Sequence, residues 1–217
     1  MKTGIFQFDR KNDKEISALA DEFFKVMESR RTVRDFSSEI PPKEAVLKCL
    51  AAASKAPSGA NKQPWKFLLI ENNNTRKIIR AEAEKREEKF YENKKAAGWH
   101  QDLEKLPVNY EKPFLEAAPY LIAIMKEKYG ISNGQKTKHY FVNESVGIAT
   151  GMLIAGLAHS GILSLTYTPS GGSFIESLLG RPDNESLFLI LACGFPAHNA
   201  SVPELCKKDE NEYLEII

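Results

Sequence analysis

Residues 146–158 contain no charged side chain, and Val146, Ile148, Ala149, Met152, Leu153, Ala155 and Leu157 leave almost no polar face when wound as a helix. A helix that is apolar nearly all round must be covered on every side. The run is shorter than the roughly 20 residues that cross a bilayer, and His159 follows it at once. It therefore predicts a central helix over about residues 138–160, buried in one domain or between two copies of it, and homodimerisation follows from the second arrangement. Gly147, Gly151 and Gly156 permit close helix contact.

The rest of the chain has to form layers around this helix. At 217 residues it suits one domain spanning 1–217, since single cores grow to about 250 residues before splitting. Ile16, Leu19, Phe23, Phe24 and Met27 recur at helical spacing and predict a helix over 14–29. A second helix should follow Pro41-Pro42 through 45–53 and stop near Ala56-Pro57. Strands are expected at 65–70, 119–125, 163–168 and 187–193, with short helices at 110–117 and 174–179. Residues 75–97 are densely charged and read as a solvated helix, although a mobile cover over a site has the same composition. Irregular chain is expected from Gly98-Trp99 to Pro107. The tail, 196–217, carries Val202, Leu205, Leu214, Ile216 and Ile217 and is expected to wrap the domain or its partner. This order gives an α+β fold, a mixed sheet flanked by helices, without the regular alternation or Gly-x-Gly-x-x-Gly of a dinucleotide fold.

Charge and cysteine usage exclude several function classes. Thirty basic against 29 acidic residues leave a formal charge of +1, so no broad attraction to nucleic acid or to an anionic membrane is expected. Cys49, Cys193 and Cys206 are odd in number and form no Cys-x-x-Cys, which argues against disulfides and structural zinc and fits a reducing cytoplasm. The N-terminus lacks a signal-peptide core, so a cytoplasmic protein is expected. His100, His139, His159 and His198 form no metal-binding pattern, and there is neither a Walker loop nor a Gly-x-Ser-x-Gly.

Two segments point to a ligand. Arg30-Arg31-Thr32-Val33-Arg34-Asp35-Phe36 packs three guanidinium groups into five residues, and their planar donor forks match phosphate oxygens. A solvated patch paired with neighbouring acids is the alternative. Pro57-Ser58-Gly59-Ala60-Asn61-Lys62-Gln63-Pro64-Trp65 combines turn residues with small side chains that let backbone N–H groups approach a ligand.

These two segments, with Gly194-Phe195-Pro196, resemble the FMN-dependent nitroreductase superfamily over essentially the whole chain. Glu87-x-x-x-Tyr91, Tyr110-Glu111-Lys112, Thr166-Tyr167-Thr168-Pro169, Leu179-Gly180-Arg181-Pro182 and Val202-Pro203-Glu204-Leu205 are similar to its iodotyrosine deiodinase branch. The resemblance implies a nitroreductase-like fold, an intertwined homodimer and FMN. It implies that Arg30, Arg31, Thr32 and Arg34 hold the cofactor, with Ser58 and Gly59 beside the flavin and Thr166, Tyr167 and Thr168 against it. Thr168, the expected catalytic residue, directs its hydroxyl to flavin N5. Lys207 stands where the family has an arginine at the phosphate, which keeps the charge and loses the fork.

The same resemblance makes residues 80–115, approximately, an active-site lid in which Glu87, Tyr91 and Lys112 take the zwitterionic end of a halotyrosine. Ala60 offers its N–H to the substrate phenolate. The two carboxylate and ammonium groups of an amino acid need opposite charges, and i, i+4 spacing puts Glu87 and Tyr91 on one helix face. Read alone, Glu87 and Lys112 are ordinary surface charges. The loop Ser170-Gly171-Gly172 departs from the branch pattern. The expected activity is reductive dehalogenation of halogenated tyrosine, releasing halide and tyrosine with electrons from an unidentified donor. Alternatives are an NAD(P)H-dependent nitroreductase and a non-catalytic flavin or aromatic amino-acid binding protein.

Overall fold

The computed structural model describes residues 3–93 and 108–217. The expected helix end at Ala97, the stretch from Gly98-Trp99 to Pro107 and His100 lie outside the described residues. Helices α1 (Asp13–Ser29) and α2 (Lys43–Ala53) precede strand β1 (Trp65–Leu69), and the charged helix α3 (Asn73–Asn93) follows. The chain continues through α4 (Phe114–Ala117), β2 (Tyr120–Glu127), β3 (Tyr129–Ser132), β4 (Gln135–Lys138) and the long helix α5 (Val142–His159). It closes with β5 (Leu163–Tyr167), α6 (Ser173–Leu178), β6 (Glu185–Gly194) and α7 (Glu210–Tyr213).

The sheet runs β1-β2-β6-β5, and each pairing between these strands is antiparallel. The parallel contact that makes it mixed is a bridge from Thr32 to Ser164 on the β5 edge. Helices cover both faces, which explains why β2 and β6 read as unbroken apolar runs. Along β2, Tyr120, Ile122 and Ile124 join the core under α2 and α5, whereas Leu121, Ala123 and Met125 join the core under α3, α4 and α6. β6 repeats this division, with Leu191 and Cys193 on the α5 side and Ile190 and Ala192 on the other. Burial pushes the Cys193 thiol up to about 12, so it serves as packing and not as a nucleophile.

Two departures have local causes. α5 starts four residues later than expected, because Gln135–Lys138 pair with Tyr129–Ser132 as a hairpin. Its turn, Asn133-Gly134, has φ of 50° and 76°, the positive pair that a tight hairpin needs and that Asn-Gly supplies. α3 is less solvated than its composition predicts. Arg76, Ile79, Ala83 and Glu87 form one buried stripe down the helix, and its two charged ends disguise it as a polar surface.

α1 contributes no buried residue; in the tail Val202 is half-buried, whereas Leu205, Leu214, Ile216 and Ile217 are exposed. No helix among the described residues is long and apolar enough to cross a membrane.

Candidate active site

Arg30 caps α1 in an extended conformation, φ −64° and ψ 126°, and so turns the arginine segment out of the helix. The segment is then held along the sheet edge. Thr32 bridges Ser164, Phe36 bridges Pro196, the Ser37 amide donates to Phe195 O at 2.9 Å, and the Ala197 amide donates to Asp35 O at 2.9 Å. Val33 and Phe36 are buried, which leaves the arginines to face outward around them. Arg31 donates to the Pro203 carbonyl and so draws the tail toward the cluster. The result is a cavity of about 200 Å³ lined by Arg30, Arg31, Thr32, Arg34, Val202, Pro203, Leu205 and Lys207. Three guanidinium groups and one ammonium, with no carboxylate among the lining residues, suit a phosphate. The donor set fits FMN at its phosphate end.

A second cavity, of about 410 Å³, is built by α3 and the chain that returns beneath it, and includes Arg34, Glu87, Tyr91, Asn109, Lys112, Phe114, Thr166, Tyr167 and Thr168. α3 and the returning chain are fastened together by a ladder of side chains along α3. Arg76 donates to the carbonyls of Ile70, Glu116 and Pro119 at 3.1, 3.4 and 3.3 Å. Arg80 pairs with Glu84 at 2.8 Å and with Glu116 at 3.2 Å. The amide of Lys112 donates to Glu84 Oε1 at 2.7 Å. One turn on, Glu87 Oε1 accepts from Tyr167 OH at 3.3 Å and from the Ser170 amide at 3.2 Å.

Glu87 and Lys112 are only 7% and 8% exposed, and both reach the same cavity. The Lys112 ammonium donates to Asn109 O and lies 5.7 Å from the Tyr91 ring centroid and 6.0 Å from that of Tyr167. Burial pulls the Lys112 ammonium below its usual range, Glu87 and Glu84 oppose that shift, and Arg34 adds to it. Burial and then Glu87 raise the Tyr91 phenol, against Arg34. Tyr167 is also raised, by burial first and by Glu87 next, so both phenols stay protonated donors at neutral pH. A buried carboxylate and a buried ammonium beside aromatic rings can take an aromatic zwitterion.

Strand alternation divides the Thr166-Tyr167-Thr168 segment. Thr166 and Thr168 are exposed, whereas Tyr167 turns inward and packs edge-on against Phe114 with centroids 5.6 Å apart. Thr166, Tyr167 and Thr168 line the larger cavity, Arg34 lines both cavities, and the two therefore share a wall.

Ser58, Gly59 and Ala60 line neither cavity. Their loop sits on the start of α5. The Gly59 amide donates to Ser145 Oγ at 3.4 Å, and a Cβ on Gly59 would come within 2.8 Å of Tyr140 O. Ser58 Oγ accepts from the Gln63 amide at 2.9 Å, and Ala60 has φ of 49°. One chain thus gathers the arginine cluster, Lys207, Glu87, Tyr91, Lys112 and the 166–168 strand end, and holds the 58–60 loop elsewhere. Sequence reasoning missed Arg76, Glu84 and Asn109, and marked Ser170 only as part of a loop that departs from the branch pattern. Glu84 was within reach of it, three residues before Glu87 on the same helix face.

The chain matches the nitroreductase family over residues 27–195. It is 41% identical over 197 residues to the iodotyrosine deiodinase of Haliscomenobacter hydrossis, an alignment covering 90% of this chain and 89% of that protein. It is 40% identical over 200 residues to the iodotyrosine deiodinase of Danio rerio, covering 91% of this chain and 68% of that one. The crystal structure of oxidised iodotyrosine deiodinase bound to FMN and 3-iodo-L-tyrosine is similar with a TM-score of 0.78 at 32% identity, over 89% of this chain and 100% of that chain. With a match running from the end of α1 to the end of the sheet, the chain belongs to the nitroreductase family, in its iodotyrosine deiodinase group.

Proposed function

We propose that this protein is an FMN-dependent reductive dehalogenase that converts a halogenated tyrosine to tyrosine and halide. The observation that carries this reading is the pairing of buried Glu87 with buried Lys112 on one cavity, joined through Arg34 to a cationic pocket. Glu87 accepts the substrate ammonium, Lys112 donates to its carboxylate, and Tyr91 covers the ring. Arg30, Arg31, Arg34 and Lys207 hold the FMN phosphate, with Thr32 beside them. FMN, when bound and reduced, would supply two electrons, which with one proton replace the carbon–halogen bond by carbon–hydrogen and release the halogen as halide. Thr168 offers its hydroxyl to flavin N5. The lid excludes water from the reacting carbon.

The 58–60 loop completes the site from a second copy of the chain in a homodimer, where Ala60 gives its N–H to the phenolate and Ser58 and Gly59 border the flavin. A halogen beside the hydroxyl acidifies the phenol, so a fixed N–H dipole selects the ionised ring. The protein works in the cytoplasm, where exposed Cys206 stays reduced, and takes its electrons from a separate donor.

The test is anaerobic incubation of the FMN-loaded protein with dithionite and 3-iodotyrosine, following iodide release. Stoichiometric iodide and tyrosine are expected. Nitroarene reduction without iodide release, or saturable binding without turnover, would overturn the reading.

A further inference from the structure

We infer that Tyr167 is a positioning residue that holds Glu87 away from Lys112, and so keeps the cavity selective for zwitterionic ligands over simple phenols. The inference rests on Glu87 being the partner of the substrate ammonium. A buried carboxylate and a buried ammonium on one 410 Å³ cavity attract each other strongly, because little water screens them. Collapsed into a pair, they would satisfy each other and leave nothing for an amino acid. In the structure they are held apart. Glu87 Oε1 is engaged by Tyr167 OH at 3.3 Å and by the Ser170 amide at 3.2 Å, while the Lys112 tip is turned to Asn109 O.

The anchor is rigid for a reason that lies in β5. Alternation sends Tyr167 inward, where it is 8% exposed and braced by the edge of Phe114. A tyrosine has few rotatable bonds, so its hydroxyl is fixed once the ring is packed. Its phenol is raised by burial and by Glu87, which keeps the proton on oxygen and makes it a donor. Beside it, Arg86 lies 4.8 Å over the Phe174 ring, a second fastening of the same helix turn. Among the described residues only Oε1 is engaged, which leaves Oε2 for an incoming ammonium. Tyr167 thereby acts on the ligand through Glu87, from the face of β5 opposite to Thr166 and Thr168.

Tyr167→Phe keeps the ring against Phe114 and removes only the hydroxyl. Two measurements on the FMN-loaded protein decide the matter: flavin-fluorescence titration with 3-iodotyrosine and with 2-iodophenol, and hydrogen exchange of residues 84–92 without ligand. The variant is expected to bind iodotyrosine about tenfold more weakly, the scale of one hydrogen bond to a charged group, with iodophenol affinity unchanged. Exchange in 84–92 is expected to quicken several-fold. If Glu87→Gln abolishes the preference for iodotyrosine but Tyr167→Phe keeps it, the inference is overturned and the functional reading stands. Equal losses for both ligands also overturn it, since a merely structural tyrosine would behave that way. If the parent shows no preference, the functional reading fails and the selectivity role of Tyr167 fails with it; faster exchange would then support only the contact between Tyr167 and Glu87, and unchanged exchange would reject that as well.

Discussion

Lys112 reaches the cavity from a backbone that is already fixed, because its amide is held at 2.7 Å by Glu84, which is itself paired with Arg80 at 2.8 Å. Its side chain is thus aimed before any ligand arrives. Lys112→Ala is expected to weaken 3-iodotyrosine by about tenfold to a hundredfold, the range for charge-assisted hydrogen bonds, and to leave 2-iodophenol little changed. Equal losses in a fluorescence titration would remove the lysine from carboxylate recognition. Thr168 stands on the other wall of the same cavity, exposed, one residue before buried Pro169. Thr168→Ala should retain FMN, release iodide more slowly by about fivefold, as one hydrogen bond near 1 kcal/mol requires, and still reduce nitroarenes. Iodide release at the parent rate would end that assignment. Residues that act through local sequence were legible: the arginines sit together in the chain, and Glu87 and Tyr91 share a helix face. The partners of Glu87 were not, since Tyr167 and Ser170 lie more than seventy residues away and meet it only through the fold.

Elements were legible where one physical signal dominated. The apolar run of β2 announced burial on two faces, and the strand lies between two helix layers; that of α5 announced burial all round, and one chain covers only one side of the helix. The β3–β4 hairpin was hidden because its residues are mostly polar and half or fully exposed, leaving only Asn133-Gly134 to mark it. α3 was misread because a stripe ending in Arg76 and Glu87 carries little hydrophobic signal. A further charge organises the sheet. Glu185 opens β6 directly opposite Glu127 of β2, and this like-charge pair is relieved by Lys66, 2.9 Å from Glu185, and by Arg181 at 2.7 Å. Burial raises the Glu185 carboxyl, but the hydrogen bonds from Arg181 and Lys66 outweigh it, and the net shift is downward from 4.5. A carboxyl depressed in the folded state stabilises the fold above its unfolded value, and that stability is lost as pH falls through the folded value. Glu185→Gln is therefore expected to cost roughly 1–3 kcal/mol near pH 7 in urea unfolding. It should also flatten the loss of stability below about pH 4.5. An unchanged acid limb would show that Glu185 titrates normally.

At the scale of the whole molecule, one chain leaves two things unfinished. α1 lies against α5 yet buries none of its own residues, and Ile16, Leu19, Phe23 and Phe24 stand exposed along it, the last two at 52% and 62%. Ile148 and Met152 of α5 are exposed as well, so the central helix is covered on one side only. Exposed apolar residues grouped in this way suit the interface of the proposed homodimer. The second unfinished feature is the 58–60 loop, which lines neither cavity although its backbone is shaped for close approach. The proposed twofold dimer would answer both if the contact that buries α1 and α5 also brings each chain's 58–60 loop to the other's cationic pocket. Phe23→Asp combined with Phe24→Asp tests this at its strongest point. Full burial of a phenylalanine contributes about 1.5–3 kcal/mol, roughly half of each ring remains to be buried, and twofold symmetry counts each change twice, so about 3–6 kcal/mol of association is lost, to which the cost of burying the new carboxylates adds. Together these are enough to carry a nanomolar dimer beyond micromolar working concentrations. The variant is expected to sediment as a folded monomer with native circular dichroism and to lose FMN on gel filtration. A monomer that keeps its flavin and releases iodide at the parent rate would show that a single chain holds the whole site.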